Sequence, residues 1–119
     1  RYISPVGFAG NLRTYIPLKL PNPAPGSLII SLRWRVSDYA DQPNAPEWAS
    51  VQCDPIFVMA DGTKNTVNNT LRVKSNTDGW QEVEKVVTVP EGAKMLILQP
   101  GLYCVNGTLD LDDIKVLAE

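Results

Sequence analysis

The sequence predicts an all-β, antiparallel β-sandwich. Three observations carry that expectation. Apolar and polar residues alternate in several short runs, the mark of half-buried strands. These runs recur at intervals of roughly 10 to 20 residues, divided by Gly, Pro, Asn and Asp. No stretch holds a 3.6-residue apolar period for three turns, and ten prolines and eight glycines are scattered through the chain.

The elements follow in order. Residues 1–27 carry the weakest signal, with one strand expected over Thr14–Leu20. Its Pro17 cannot donate to a ladder, which favours an edge or a bulge. Leu28–Ser37 places Leu28, Ile30, Leu32, Trp34 and Val36 on one face and Ile29, Ser31, Arg33, Arg35 and Ser37 on the other. Trp34 therefore reads as core. The polar segment Asp38–Glu47 is long for a hairpin loop. Trp48–Ala60 turns Ala49, Val51, Cys53, Phe57 and Met59 inward and Trp48, Ser50, Gln52 and Asp54 outward, with a bulge expected at Pro55. Asp61-Gly62 is a hairpin turn. Thr66–Lys74 alternates as an exposed strand, and Asn76–Gly79 turns into Trp80–Val89, with Trp80 read as covering the core edge. Lys94–Gln99 is apolar and central, and an Asn106-Gly107 turn leads into Thr108–Leu117. There Leu109 and Leu111 have one parity, Ile114 and Val116 the other. One residue of Asp112-Asp113 must be extra, which marks a β-bulge.

At 119 residues the chain is read as one domain, 1–119, excised from something longer, since Arg1-Tyr2-Ile3 is neither an initiator Met nor a signal peptide. Its net charge is −2 and no basic cluster is visible, so a nucleic-acid partner is not expected. Neither an apolar span nor a basic amphipathic helix points to a membrane. The sequence contains no histidine, which removes the usual base of a catalytic triad and the commonest zinc ligand. Cys53 and Cys104 are either buried thiols or one bridge of a secreted protein.

Two side-chain groups carry chemistry. An aromatic ring stacked on the apolar face of a pyranose, with directed polar groups on its hydroxyls, makes a sugar site. Trp48, Tyr39 and Tyr103 are the candidate platforms. Arg33, Arg35, Gln52, Asp54 and Gln99 are the candidate polar partners, provided their strands are neighbours. The bland alternative is a solvated face with cross-strand pairs such as Arg35 with Asp54. The second group, Asp110, Asp112 and Asp113, offers hard oxygen donors of the kind calcium takes, or else a charged bulge guarding an edge. Asn68-Asn69-Thr70 and Asn106-Gly107-Thr108 match the glycosylation acceptor pattern. Glu82 and Glu84 are expected about 7 Å apart on one strand, and nothing else in the sequence builds a cleft around them, so a glycosidase pair is not expected.

Four stretches carry a resemblance. They are Leu32-Arg33-Trp34-Arg35-Val36, Phe57 through Thr63, Trp80 through Ala93, and Gly107 through Val116. In order and spacing the chain resembles a carbohydrate-binding module of the β-jelly-roll group that includes families four, nine and twenty-two. The resemblance implies two antiparallel sheets and no catalysis. It also implies a secreted accessory domain, covalently joined to a glycoside hydrolase, that binds a plant or algal polysaccharide. It further implies a structural calcium with Asp112 as a ligand. The N-terminal strand that carries a second, glutamate ligand in that group has no counterpart in this sequence. Binding of this type is expected to be weak to moderate and insensitive to salt. The rival expectation is a structural or adhesive spacer of a cell-surface protein.

Overall fold

The computed structural model describes residues 1–66 and 70–119. Among them are ten strands and no helix, laid out as two antiparallel sheets packed face to face. The strands are β1 (Tyr2–Ser4), β2 (Asn11–Arg13), β3 (Ile16–Lys19), β4 (Ser27–Asp41), β5 (Ser50–Met59), β6 (Lys64–Thr66), β7 (Leu71–Val73), β8 (Gln81–Thr88), β9 (Ala93–Tyr103) and β10 (Val105–Ala118). One sheet runs β1-β10-β4-β8. In the other, β9 and β5 form the centre, with β2 and β3 in line beside β9 and β6 and β7 in line beside β5. The architecture is the all-β antiparallel sandwich that the alternating pattern predicts.

The alternation of β4 explains its place. Leu28, Ile30, Leu32, Trp34 and Val36 are buried, while Arg33 and Arg35 turn outward. They meet Val51, Cys53 and Phe57 of β5 and Leu96, Leu98 and Leu102 of β9 in one core. Trp34 is 1% exposed, and its indole N–H donates to Gln81 Oε1 at 3.1 Å. Its one polar atom is thus satisfied inside an apolar layer.

The parity break in β10 is a bulge. Asp112 pairs with Arg33 and Lys115 with Ser31, so three steps on β10 match two on β4. Asp113 takes the extra place with φ 55, and Leu111, Ile114 and Val116 all reach the core. Pro17 lies on edge strand β3, as its missing N–H requires.

Several expectations are corrected. Pro55 causes no bulge: β5 keeps register with β9 from Ser50 to Val58, and the irregularity lies at Val58/Met59. Pro55 instead falls between the β7 pairing at Val51–Cys53 and the β6 pairing at Ile56–Val58, where neither strand pairs with it. The last hairpin does not turn at Asn106-Gly107, which lies inside β10. The chain reverses at Cys104, with φ 57. Cys53 and Cys104 are free thiols. Of the strand expected over Thr66–Lys74, residues 67–69 lie outside the described residues, and with them most of the Asn68-Asn69-Thr70 acceptor; Leu71–Val73 is strand. The other acceptor asparagine, Asn106, is buried. Its Nδ2 donates to Ser4 Oγ, Pro5 O and Phe8 O, so the folded chain does not present it.

Candidate functional site

The two sheets put the expected site residues on opposite surfaces. Gln52 and Asp54 project outward from β5, and Gln99 and Tyr103 from β9. Asp54 pairs with Gln99, and Ser50 with Tyr103. Trp48 lies just before β5. Arg33 and Arg35 project from β4, in the other sheet. Sheets in a sandwich stack about 10 Å apart, and outward side chains on the two sheets diverge. The expectation that both arginines share a face with Gln52 and Asp54 is therefore corrected. Tyr39, near the end of β4, packs against the core with its backbone N–H on Asn76 Oδ1 at 2.8 Å. Its hydroxyl faces Asp41, and burial first, then that carboxylate, pushes its pKa up to about 12.

The outer face of the β5–β9 sheet is a groove. One hollow of about 520 Å³ lies among Arg13, Tyr15, Asp54, Ile56, Lys64 and Gln99. A second of about 330 Å³, among Trp48, Gln52, Arg72 and Tyr103, shares Arg13 and Asp54 with the first. Two rings stand open beside it: Trp48 is 49% and Tyr15 60% exposed. Tyr103 is only 3% exposed. The Arg13 guanidinium lies 5.6 Å from its ring centre and 5.5 Å from that of Tyr15. Tyr103 is thus part of the floor, and Tyr15 is an open platform that sequence reading missed.

The polar groups divide into supports and free donors. Gln52 Nε2 donates to Trp48 O and to Ser50 Oγ, each at 2.8 Å, and Ser50 Oγ donates in turn to Trp48 O at 3.1 Å, so both amide protons are spent on holding the Trp48–Ser50 segment. Gln52 is a positioning residue. The Tyr103 hydroxyl donates to Gln99 O at 2.6 Å, and burial foremost raises its pKa. The Gln99 side chain is different. Its amide lines the groove and makes no hydrogen bond to protein among the described residues, yet none of its atoms is sealed from solvent without a partner. Asp54 offers one oxygen to the Thr70 hydroxyl, leaving the other for the groove.

Gly101 makes the groove's shape. A Cβ there would sit 2.2 Å from Leu12 O and 2.6 Å from Arg13 Cα. Only a glycine lets β2 close over β9 and carry Arg13 to the Tyr103 ring.

The opposite outer face is self-contained. Arg33 and Arg35 stack over Trp80 at 5.1 and 4.7 Å from its ring centre, so Trp80 supports two guanidinium groups on the outer surface instead of covering the core edge. Arg35 pairs with Asp110 at 2.9 Å and not with Asp54; Arg1 pairs with the same carboxylate at 2.8 Å. The shallow hollow of about 340 Å³ on this side is lined by Arg33, Glu82, Glu84 and Lys115, without an aromatic ring. The acidic corner does not fit calcium. Asp112 faces Arg33 at 3.8 Å and Asp113 faces Lys115 at 3.3 Å. No three acidic, thiol or imidazole groups cluster as a metal set among the described residues. A hard cation that takes six to eight oxygens finds cations there instead.

No protein-family model matches the sequence, and no curated protein matches it. The fold resembles that of a carbohydrate-binding module. A solved structure described as Family 16 Carbohydrate Binding Module-2 superposes with a TM-score of 0.50, over 92% of this chain and 73% of that one. The sequences are 17% identical, so the likeness is one of fold.

Proposed function

We propose that this chain binds polysaccharide without cleaving it, through the outer face of the β5–β9 sheet. The observation that carries the reading is the pairing in one groove of two open rings, Trp48 and Tyr15, with the unengaged Gln99 amide and a free Asp54 oxygen. That is an apolar platform with a few directed polar groups, which is what a pyranose needs. The likeness of fold to a carbohydrate-binding module supports it. The finer reading keeps a secreted domain that tethers an appended glycoside hydrolase to plant or algal cell-wall glycans.

Affinity electrophoresis through gels containing cell-wall polysaccharides tests the site. Trp48→Ala and Gln99→Ala are expected to lose retention, while Arg35→Ala keeps it. Loss with Arg35→Ala and retention with Trp48→Ala would move the site to the other sheet. No retention on any glycan would favour a spacer role, with Trp48 packing against a neighbouring domain.

A further inference from the structure

The two outer faces differ in how their charges are answered. On the β1-β10-β4-β8 sheet, Arg1, Arg33, Arg35 and Lys115 each have a carboxylate within 4 Å. In the groove, Arg13, Lys64 and Arg72 have no ion-pair partner among the described residues. The one carboxylate lining it is Asp54, and residues 67–69 are Val-Asn-Asn, which bring no charge. A chain of net charge −2 thus holds a groove with an excess of two positive charges.

We propose that the groove takes an acidic polysaccharide, one bearing uronate carboxylates or sulfate esters. Arg13, Arg72 and Lys64 would meet the anions while Trp48 and Tyr15 stack on the rings. The proposal rests on the glycan-binding reading above.

The placement suits a polymer. Arg13 pairs with Gly101, Gly101 with Gln52 and Gln52 with Arg72, so the two arginines flank one row of the sheet. Three strand spacings put their backbones about 14 Å apart, close enough to grip a chain lying between them. Lys64 pairs with Val58, six residues along β5 from Gln52, or about 20 Å by strand rise. Cations spread over that length address successive sugars of one chain and not a single small anion. Arg13 is already held between two tyrosine rings, so less freedom is lost when its planar fork meets a carboxylate. Single-stranded nucleic acid is also an anionic polymer with stacking faces. Asp54 in the groove and the acidic chain as a whole disfavour it.

Affinity electrophoresis with matched polymers tests the proposal. The gels hold polygalacturonate, its methyl-esterified form, a sulfated galactan, its desulfated form, or poly-dT. At least one acidic glycan is expected to bind about tenfold tighter than its uncharged counterpart. Raising NaCl from about 50 to 500 mM should weaken that binding by about tenfold, reversing the salt insensitivity expected of a neutral site. Arg72→Gln and Arg13→Gln should each weaken it about fivefold. Lys85→Gln, on the other sheet, should not change it. Whether the polyuronate or the sulfated galactan binds names the anion. Equal binding to charged and uncharged partners overturns the acidic specificity and leaves glycan binding standing. Binding to none overturns both, and poly-dT held as tightly as the best glycan overturns the choice of polymer.

Discussion

Gly101→Ala is the most demanding perturbation of the groove. Gly101 is buried near the end of β9, and its φ lies outside the left-handed region, so alanine costs nothing in backbone conformation. The cost is steric. The new methyl would meet Leu12 O at 2.2 Å, Arg13 Cα at 2.6 Å and Arg13 Cβ at 2.7 Å. Strand β2 must retreat by more than about 1 Å to reach ordinary contact distance. Its pairing with β9 covers only Asn11, Leu12 and Arg13, so it has little to hold it in place. Overpacking against backbone costs about 2 kcal/mol. For a chain of this size that is a fall in Tm of roughly 8 °C. The retreat also lifts Arg13 from Tyr103 and reshapes both hollows. Differential scanning calorimetry reads the first effect, and retention in a glycan gel the second. Gly26→Ala is the control: nothing lies within 4 Å of its added Cβ, and its Tm should stay within about 3 °C. A Gly101→Ala protein that melts and binds as the parent does would refute the reasoning.

Three further outcomes follow. Gln52→Ala should weaken glycan retention by loosening Trp48, and it should cost about 1–3 kcal/mol in denaturant titration, because Ser50 Oγ loses its donor and Trp48 O keeps only the Ser50 hydroxyl. Asp110 is held below the usual carboxylate range chiefly by its hydrogen bond to Arg1, and also by Arg35. Its contribution is therefore present above about pH 4 and lost as pH falls through its lower folded-state value. Asp110→Asn should flatten the fall of Tm below pH 4, and an unchanged acid limb would contradict this. Burial pushes the Cys53 thiol up to about 12, so native protein should take iodoacetamide at Cys104 alone and at both cysteines only when unfolded, as read by mass spectrometry.

What was legible in the sequence is what strand parity controls. The buried face of β4, the core position of Trp34 and the bulge at Asp112-Asp113 all follow from counting in twos, because a slip of one residue would turn a whole apolar set to water. Sheet membership is not local in that way. Nothing in the pattern of β4 or β5 says that they lie in different sheets, so side-chain type alone groups Arg33 and Arg35 with Gln52 and Asp54, which belong to the other sheet. The three-residue strand β2 is too short to show a period, and it carries Arg13 to the groove. Arg13, Lys64 and Arg72 are scattered along the chain and become a basic surface only through β-pairing. Of the expected site residues, Trp48, Gln52, Asp54, Gln99 and Tyr103 meet in one place. Gln52 and Tyr103 serve there as support and floor, which hydrogen bonds and burial decide and side-chain type does not.

The indole N–H resonances of the three tryptophans test the central claim most directly, because the fold puts them in three different places. Trp34 is in the core, Trp80 lies under two arginines on one face, and Trp48 stands open beside the groove on the other. On titration with an oligosaccharide of a retained glycan, the Trp48 resonance should shift progressively while those of Trp34 and Trp80 stay in place. A shift of Trp80 with Trp48 unmoved would contradict the account.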